Sequence, residues 1–185
     1  MCDHSDAARG GRNISLVGFM GSGKSSVGRE LATRLGWDFV DTDDLVEASA
    51  GRGIADIFAT DGEDAFRDIE AAAVREAAAR ERVVIATGGG VVLRAANIDA
   101  LSKRGDVVLL ATTPEAAYER VRDETHRPLL QVADPVARIA QLMSQRMDAY
   151  ARAAHAVDTV GRTVSQVADD VLATLGRAGD KRGSQ

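Results

Sequence analysis

The sequence predicts an α/β domain, a three-layer sandwich in which helices cover both faces of a five-stranded parallel sheet. Two observations lead to this fold class. Short runs of β-branched residues alternate with amphipathic stretches, as in repeated βα units. A glycine-rich segment also lies directly between the first of these runs and the first amphipathic stretch, where a phosphate-binding loop belongs in such a sheet. The 185 residues are enough for one domain of this kind.

Five apolar runs mark the strands. They are residues 14–17, 39–40, 83–86, 107–111 and 156–159. Six or seven helices are predicted between and after them, and the first spans residues 24–35 and ends at Gly36. Residues 70–80 are rich in Ala, Glu and Arg, which are strong helix formers, so this stretch is predicted to be an ordinary helix.

Three further helix starts carry capping signals. Thr60 and Glu63 have the spacing of a capping box, and Thr113 and Asp134 each precede a proline suited to a first helical turn. Residues 122–134 interrupt two of these helices with a polar segment of no clear period, which predicts a mobile loop. Residues 13–175 form the single domain, and residues 1–12 and 176–185 are predicted to be disordered tails because their composition is polar and glycine-rich.

Charge and composition exclude several classes of partner. The formal net charge is −5, aromatic residues make up 4% and no long basic run occurs, so neither nucleic acid nor an anionic membrane is expected to be the main partner. No apolar run approaches the roughly 20 residues that a membrane-spanning helix needs. Cys2 is the single cysteine and cannot form an internal disulfide bond, which favours a reducing, cytoplasmic location.

The glycine-rich segment matches the phosphate-loop motif G-x-x-x-x-G-K-[ST] from Gly18 to Ser25. Its glycines allow backbone N–H groups to approach a phosphate, and the following helix N-terminus adds a positive partial charge. Lys24 would neutralise the β- and γ-phosphate oxygens, and the Ser25 hydroxyl would contact Mg²⁺. The alternative is a glycine-rich turn with an exposed lysine. No N-K-x-D motif that would read guanine occurs, which argues against a GTPase switch.

A pair of carboxylates follows the second predicted strand. The spacing of Asp41 and Asp43 turns both side chains to one side at the carboxyl end of the strand, where ligands bind in such sheets. One carboxylate would support the metal and the other would accept the proton of a substrate hydroxyl. The alternative is that Asp43 and Asp44 cap the next helix.

The third strand leads into a second glycine cluster, Gly88, Gly89 and Gly90, which either presents N–H groups to a polar ligand or forms a tight turn. Arg127 lies in the predicted loop, from which an arginine can reach a transferring phosphoryl group. Position alone does not distinguish Arg67 and Arg146 from ordinary solvated arginines. The neighbouring His126 is treated as a solvent-facing loop residue rather than a base.

The chain resembles the shikimate kinases. The resemblance covers residues 13–175 and rests on the phosphate loop GFMGSGKS, the DTD of residues 41–43, the string IADIFATDGEDAFR of residues 54–67, the triple glycine, RPLL from Arg127, and R-x-x-x-Y from Arg146 to Tyr150. It implies a monomeric P-loop kinase with strand order 2-3-1-4-5 and a lid at residues 122–134. It also implies transfer of the γ-phosphoryl group of ATP to the 3-hydroxyl of shikimate, with Mg²⁺, on the path to chorismate and the aromatic amino acids.

The resemblance implies specific residue roles. The nucleotide-binding residues would be Gly21, Ser22, Gly23, Lys24, Ser25, Ser26, Arg120, Arg127 and Arg162. The shikimate-binding residues would be Asp43, Phe58, Phe66, Arg67, Gly88, Gly89, Gly90 and Arg146. Asp43 is the implied proton acceptor, Lys24 and Arg127 act on the phosphates, Arg120 stacks on adenine, and Ser25 and, through water, Asp41 hold the metal.

Three positions depart from the family pattern. Ser26 stands where relatives often have Thr, Asp148 where they often have Pro, and the loop around Arg162 lacks an Asn-Pro pair seen in some of them. Two alternatives stay open at this point. One is another small-metabolite kinase of similar architecture, such as a gluconate kinase. The other is a regulatory module that binds nucleotide without transferring phosphate, against which intact Asp43, Arg67 and Arg127 argue.

Overall fold

The computed structural model of the chain describes residues 12–122 and 132–177. Within these ranges it contains five β-strands, eight α-helices and one 3₁₀ turn, Val91–Leu93. The strands are β1 (Asn13–Val17), β2 (Asp38–Asp41), β3 (Val83–Ala86), β4 (Gly105–Ala111) and β5 (His155–Asp158). The helices are α1 (Lys24–Leu35), α2 (Thr42–Ala50), α3 (Ile54–Thr60), α4 (Gly62–Ala79), α5 (Ala95–Arg104), α6 (Pro114–Val121), α7 (Pro135–Tyr150) and α8 (Val164–Thr174).

The strands form one parallel sheet in the order β2-β3-β1-β4-β5, which confirms the predicted topology. β1 is central, and its Ser15 lies opposite Ile85 of β3 on one side and Val107 of β4 on the other. All residues of β1 and β3 are buried, as expected for strands covered on both faces. The segments that follow the strands therefore meet at one edge of the sheet, where ligands bind in open α/β folds.

Helices cover both faces of the sheet, which confirms the three-layer prediction. On one face, Leu31 of α1 and Val171 of α8 pack against Leu16 and Val108 of the central strands. The other face is covered by apolar residues of α4, α5 and α7, among them Val74, Ile98, Leu101 and Tyr150. A smaller cluster joins Phe19, in the loop after β1, to α6 and α7.

Several helix ends follow the signals in the sequence. Gly36 ends α1 in the left-handed conformation, with a φ of 62°. The Thr113 and Asp134 side chains cap α6 and α7 by accepting the backbone N–H groups of Ala116 and Ala137. These residues thus satisfy N–H groups that the helices themselves leave without a partner.

The capping box predicted at Thr60 is wrong. Thr60 is the last residue of α3, and its hydroxyl donates to the carbonyl oxygen of Asp56, one turn earlier. α4 begins at Gly62, preceded by Asp61, and no side chain of the described residues caps it. The long helical tract after β2 is divided into α2, α3 and α4, so the described residues contain more helices than the six or seven predicted.

Parts of the predicted lid and tails lie outside the described residues: 1–11, 123–131, which include His126 and Arg127, and 178–185. Arg177, assigned from sequence to the C-terminal tail, donates to an Asp106 carboxylate oxygen at 2.7 Å and to the Arg12 carbonyl oxygen at 3.1 Å. None of the described helices has both the length and the hydropathy of a membrane-spanning segment.

Candidate active site

A cavity of about 430 Å³ opens at the carboxyl edge of the sheet. Its walls come from the loop after β1, the end of β2, the segment after β3, helix α6 and the loop after β5. Eleven of the residues predicted from sequence line it: Gly21, Ser22, Gly23, Lys24, Ser25, Ser26, Asp41, Asp43, Gly89, Arg120 and Arg162. Six other described candidates are not among the residues that line it: Phe58, Phe66, Arg67, Gly88, Gly90 and Arg146.

The loop from Gly18 to Gly23 has a backbone that requires glycine. Gly18, Gly21 and Gly23 have φ angles of 148°, 72° and 89°. A β-carbon at Gly18 would lie 2.6 Å from the Leu110 carbonyl oxygen, and one at Gly21 would lie 2.6 Å from that of Ala117. The loop is therefore fitted closely against β4 and α6, and it leads directly into α1, whose N-terminus is suited to binding an anion.

Lys24, the first residue of α1, lies along this loop. Its Nζ atom donates to the carbonyl oxygens of Gly18 and Phe19 at 2.9 and 2.8 Å, and the residue is 8% exposed. The ammonium group is thus held beside the helix N-terminus, so two sources of positive charge lie together in the cavity wall.

Ser25 and Asp41 form a pair of oxygen donors. The Ser25 hydroxyl donates to Asp41 Oδ2 at 2.7 Å, and Asp41 Oδ1 accepts the backbone N–H of Asp43 at 3.1 Å. Hydroxyl and carboxylate oxygens suit Mg²⁺, which commonly takes one or two protein ligands and completes its shell with phosphate and water. Among the described residues no group of three or more His, Cys, Asp or Glu side chains could hold a metal ion.

Asp43 lies beside this pair, but the reasoning from sequence was wrong about why. β2 ends at Asp41, and Thr42 begins α2, so the alternation of a strand does not place Asp41 and Asp43 on one side. Asp41 instead caps α2, which brings Asp43 of its first turn to the same cavity. The proposed alternative of Asp43 and Asp44 as the cap is not what the structure shows.

The triple glycine connects the substrate candidates with one another. A β-carbon at Gly88 would lie 2.8 Å from Asp43 Oδ1, and one at Gly90 would lie 2.5 Å from Arg67 Nη1. The Gly89 carbonyl oxygen accepts Arg146 Nη1 at 3.2 Å. The segment also turns, as one of the two readings of the glycines predicts, since the Val91 N–H donates to the Gly88 carbonyl oxygen.

Arg67 is held by two carboxylates of its own helix. Its guanidinium donates to Glu70 Oε2 at 2.8 Å and to Glu63 Oε1 at 3.1 Å. Burial disfavours the charged form, but the bonds and charges of Glu70 and Glu63 outweigh it and raise the pKa of Arg67 above its ordinary value. Glu70 is 1% exposed, and no hydrogen-bond donor among the described residues reaches its Oε1.

Arg146 approaches the same glycines from α7. Its guanidinium lies 5.5 Å from the centre of the Phe19 ring, and the Tyr150 hydroxyl donates to the Gly89 carbonyl oxygen at 3.0 Å beside it. Burial raises the pKa of Tyr150, and the nearby Arg146 charge opposes this shift. Within the described residues Arg146 has no carboxylate partner, so its charge is not neutralised as that of Arg67 is.

Phe58 and Phe66 form an aromatic pair next to Arg67. Their ring centres are 4.4 Å apart, and the Arg67 guanidinium lies 5.1 Å from the Phe66 ring centre. Phe66 is buried, whereas Phe58 is 39% exposed, which is unusual for a side chain of its size. The pair therefore offers an apolar surface beside the arginine.

Arg120 and Arg162 lie at the opposite end of the cavity. Arg120 donates to the Gly21 carbonyl oxygen at 2.9 Å and to two oxygen atoms of Thr159. Arg162 pairs with Asp170 of α8. Both residues line the cavity.

Four residues escaped the assignment of roles from sequence. Glu70 holds Arg67, Tyr150 contacts Gly89, Thr159 contacts Arg120, and the buried Thr42 hydroxyl accepts the Gly88 N–H at 3.2 Å. Glu70 could have been found from its spacing of three residues from Arg67 on a helix. Thr159 follows the last strand at the ligand-binding edge, which is a weaker signal.

Comparisons with known proteins point to one family. The shikimate kinase family model matches residues 20–176. The shikimate kinase of Symbiobacterium thermophilum is 49% identical over 172 residues, which cover 91% of this chain and 99% of that protein. That of Thermodesulfovibrio yellowstonii is 45% identical over 87% of this chain and 93% of its own length. A structure of the Acinetobacter baumannii shikimate kinase in complex with shikimate matches with a TM-score of 0.83 and 38% identity, covering 87% of this chain and 90% of that one.

Proposed function

The chain belongs to the shikimate kinase family and is an ATP-dependent kinase of shikimate, and from this premise we propose how its residues divide the reaction. The step belongs to the biosynthesis of aromatic amino acids. The γ-phosphoryl group of ATP passes to the 3-hydroxyl oxygen of shikimate, the hydroxyl loses its proton, and shikimate 3-phosphate and ADP leave.

One observation carries this assignment of roles. The three consecutive glycines contact Asp43, Arg146 and Arg67 in turn, while Gly89 and Asp43 also line the cavity that contains Lys24. A carboxylate that can accept a hydroxyl proton, two guanidinium groups that can bind an acid and a phosphate-binding loop are thereby adjacent. A small hydroxylated acid that receives a phosphoryl group needs this combination of groups.

The phosphate loop and α1 would hold ATP. Gly21, Ser22, Gly23 and Ser26 line the cavity. Ser26 would meet the α-phosphate, and Lys24 would neutralise charge that develops on the transferred group. Ser25 and, through water, Asp41 would hold Mg²⁺, which would neutralise phosphate charge when bound. Arg120 and Arg162 contact the nucleotide from the far wall, and Arg127, outside the described residues, is proposed to reach the γ-phosphate.

Shikimate would bind against the triple glycine. Asp43 orients the attacking hydroxyl and accepts its proton. Arg67 and Arg146 bind the carboxylate, since two guanidinium groups suit a small anionic acid. The backbone of Gly88, Gly89 and Gly90 faces the ring hydroxyls, and Phe58 and Phe66 cover the apolar side of the ring.

We further propose that the protein acts as a monomer in the cytoplasm. The single cysteine and the reaction itself, which consumes ATP, support this location. Light scattering of the purified chain should give the 19.5 kDa mass of one copy. A mass of two copies at assay concentration would contradict the monomer.

A coupled assay of ADP release tests the function. We expect activity with ATP and shikimate, none when EDTA removes divalent cations, and recovery on addition of Mg²⁺. Gluconate, another hydroxylated acid, serves as the control substrate. Turnover of gluconate without turnover of shikimate, or full activity in EDTA, would contradict the proposal.

A further inference from the structure

Thr159 occupies a junction between the sheet and the nucleotide end of the cavity. It directly follows β5, is 2% exposed and lines the cavity. Its backbone N–H and its hydroxyl both donate to the Ala111 carbonyl oxygen at the end of β4, at 3.0 and 2.9 Å. The position of this threonine is therefore fixed by the edge of the sheet rather than by a flexible loop.

The same residue binds the Arg120 guanidinium through two oxygen atoms. Arg120 Nη1 donates to Thr159 Oγ1 at 3.1 Å, and Nη2 donates to the Thr159 carbonyl oxygen at 2.6 Å. The hydroxyl has one proton, which is used on Ala111, so its lone pairs are turned toward Arg120. Serine could repeat this arrangement, but valine, which has the same shape, could not.

Arg120 in turn contacts the phosphate loop. Its Nη1 also donates to the Gly21 carbonyl oxygen at 2.9 Å, at the point where Gly21 lies against Ala117 of the same helix. All three acceptors are neutral oxygens, and among the described residues no carboxylate pairs with Arg120. The guanidinium is thus immobilised without losing its positive charge, beside the loop that would hold the phosphates of ATP.

The loop after β5 does not need the Thr159 hydroxyl to keep its conformation. Its backbone is held by the Thr159 N–H to Ala111 and by the Val160 N–H, which donates to Asp158 Oδ1 at 3.0 Å. Removing the hydroxyl would leave both bonds in place. The group whose position depends on the Thr159 hydroxyl is therefore the Arg120 guanidinium.

We propose that Thr159 is a positioning residue for nucleotide binding, whose hydroxyl, oriented by the end of β4, fixes Arg120 against the phosphate loop. This inference rests on the role proposed above for Arg120. Its direct consequence is that the hydroxyl matters for ATP and not for shikimate, because the triple glycine and both substrate arginines lie on other segments.

The test compares Thr159→Val with Thr159→Ser in the shikimate kinase assay. We expect Thr159→Val to raise the KM for ATP about tenfold, the effect of weakening a hydrogen bond to a charged group. The KM for shikimate should stay within about twofold, and Thr159→Ser should restore the wild-type KM for ATP. Thr33→Val makes the same chemical change on the exposed face of α1 and serves as the control.

A double variant, Thr159→Val combined with Arg120→Ala, tests whether the hydroxyl acts through the guanidinium. We expect Thr159→Val to have no further effect on the KM for ATP in the Arg120→Ala variant, since the hydroxyl acts through the guanidinium. If the valine variant folds poorly, Thr159→Ala replaces it, and calorimetry measures its binding of ADP. We expect ADP binding to weaken about tenfold, as for the KM for ATP in Thr159→Val. An unchanged KM for ATP in Thr159→Val, a serine variant as impaired as valine, or an equal loss in the Arg120→Ala background would overturn the inference. An inactive wild-type protein would instead contradict the proposed function.

Discussion

The two halves of the proposed active site are built by different means. The nucleotide half is largely one continuous segment, in which the loop from Gly18 to Gly23 leads into the N-terminus of α1. The shikimate half takes single side chains from three separate helices, Asp43 of α2, Arg67 of α4 and Arg146 of α7, and gathers them around three glycines.

The nucleotide half relies more on backbone groups, and the shikimate half relies more on side chains. In the nucleotide half, helix partial charge and loop amides would share the binding of phosphate with side chains such as Lys24. In the shikimate half, each function depends on one side chain held by its own neighbours, such as Glu70 for Arg67. Substitutions in the two halves should therefore separate into effects on ATP, effects on shikimate and effects on turnover.

The largest effect is expected from Lys24→Ala, because Lys24 is the charged side chain that the phosphate loop itself contributes. Loss of this charge should lower kcat about 1,000-fold, as for other groups that stabilise charge in a transition state. Single-turnover kinetics with ATP and shikimate measure the change. Lys103→Ala, on the exposed face of α5, is the control and should retain wild-type kcat. A wild-type kcat in Lys24→Ala would contradict the role of Lys24 in neutralising the transferred phosphoryl group.

Asp43→Asn should have the next largest effect, and it tests the half of the site that binds shikimate. The substitution keeps the shape of the side chain but removes a carboxylate that can accept a proton. We expect kcat to fall roughly 100-fold or more, with a smaller change in either KM. Asp44→Asn, one residue along α2 and exposed, should leave kcat unchanged. A larger rise in the shikimate KM than fall in kcat would make Asp43 a binding residue alone.

Arg67→Ala and Arg146→Ala should resemble each other in binding but differ in stability. Each should raise the shikimate KM about 10- to 100-fold, the value of charge-assisted hydrogen bonds, and leave the ATP KM nearly unchanged. Arg67→Ala also leaves Glu70 buried without its partner, a loss of about 3 to 5 kcal/mol in the free energy of unfolding.

Thermal unfolding distinguishes the two arginines. Arg67→Ala should lower the Tm, and the added change Glu70→Gln should recover part of the loss, whereas Arg146→Ala should unfold near the wild-type Tm. Arg75→Ala, on the exposed side of α4, controls for loss of a surface arginine. Equal effects of either arginine variant on the KM of ATP and shikimate would show that the carboxylate clamp is misassigned.

The same contrast explains how much could be predicted from sequence. The sheet order and the phosphate loop followed from a contiguous motif, its βα context and the family resemblance. The helix breaks after β2 did not, because Thr60 bonds back to Asp56 within α3 instead of capping α4. Asp43 reaches the cavity through a helix cap at Asp41, and not through the strand alternation that its spacing from Asp41 predicts.

Side-chain partnerships between distant segments were beyond the pattern in the sequence. Nothing in the spacing of Arg120 and Thr159, 39 residues apart, indicates that they bond. The contact arises because α6 and the loop after β5 meet at the edge of the sheet, which is a property of the folded chain. Position alone likewise did not distinguish Arg67 and Arg146 from solvated arginines, although the family resemblance singled them out, and in the structure both lie against the triple glycine.

The smallest effect is expected from Tyr150→Phe, which removes one neutral hydrogen bond to Gly89 while Arg146 still donates to the same oxygen. The shikimate KM should rise about threefold. Tyr118→Phe makes the same change at the other tyrosine and should leave this KM unaltered.

The pH dependence of stability tests the same residue by an independent measurement. Burial raises the pKa of Tyr150 above its ordinary value of 10.0, so the unfolded chain releases this proton at a lower pH than the native protein does. The stability associated with the neutral hydroxyl is complete below pH 10 and declines as the pH rises through the native pKa. Tyr150→Phe should therefore lose less Tm than wild type between about pH 9 and pH 11. Parallel declines in both proteins would mean that the hydroxyl is not held neutral beside Gly89, and Arg146 alone would then position the triple glycine.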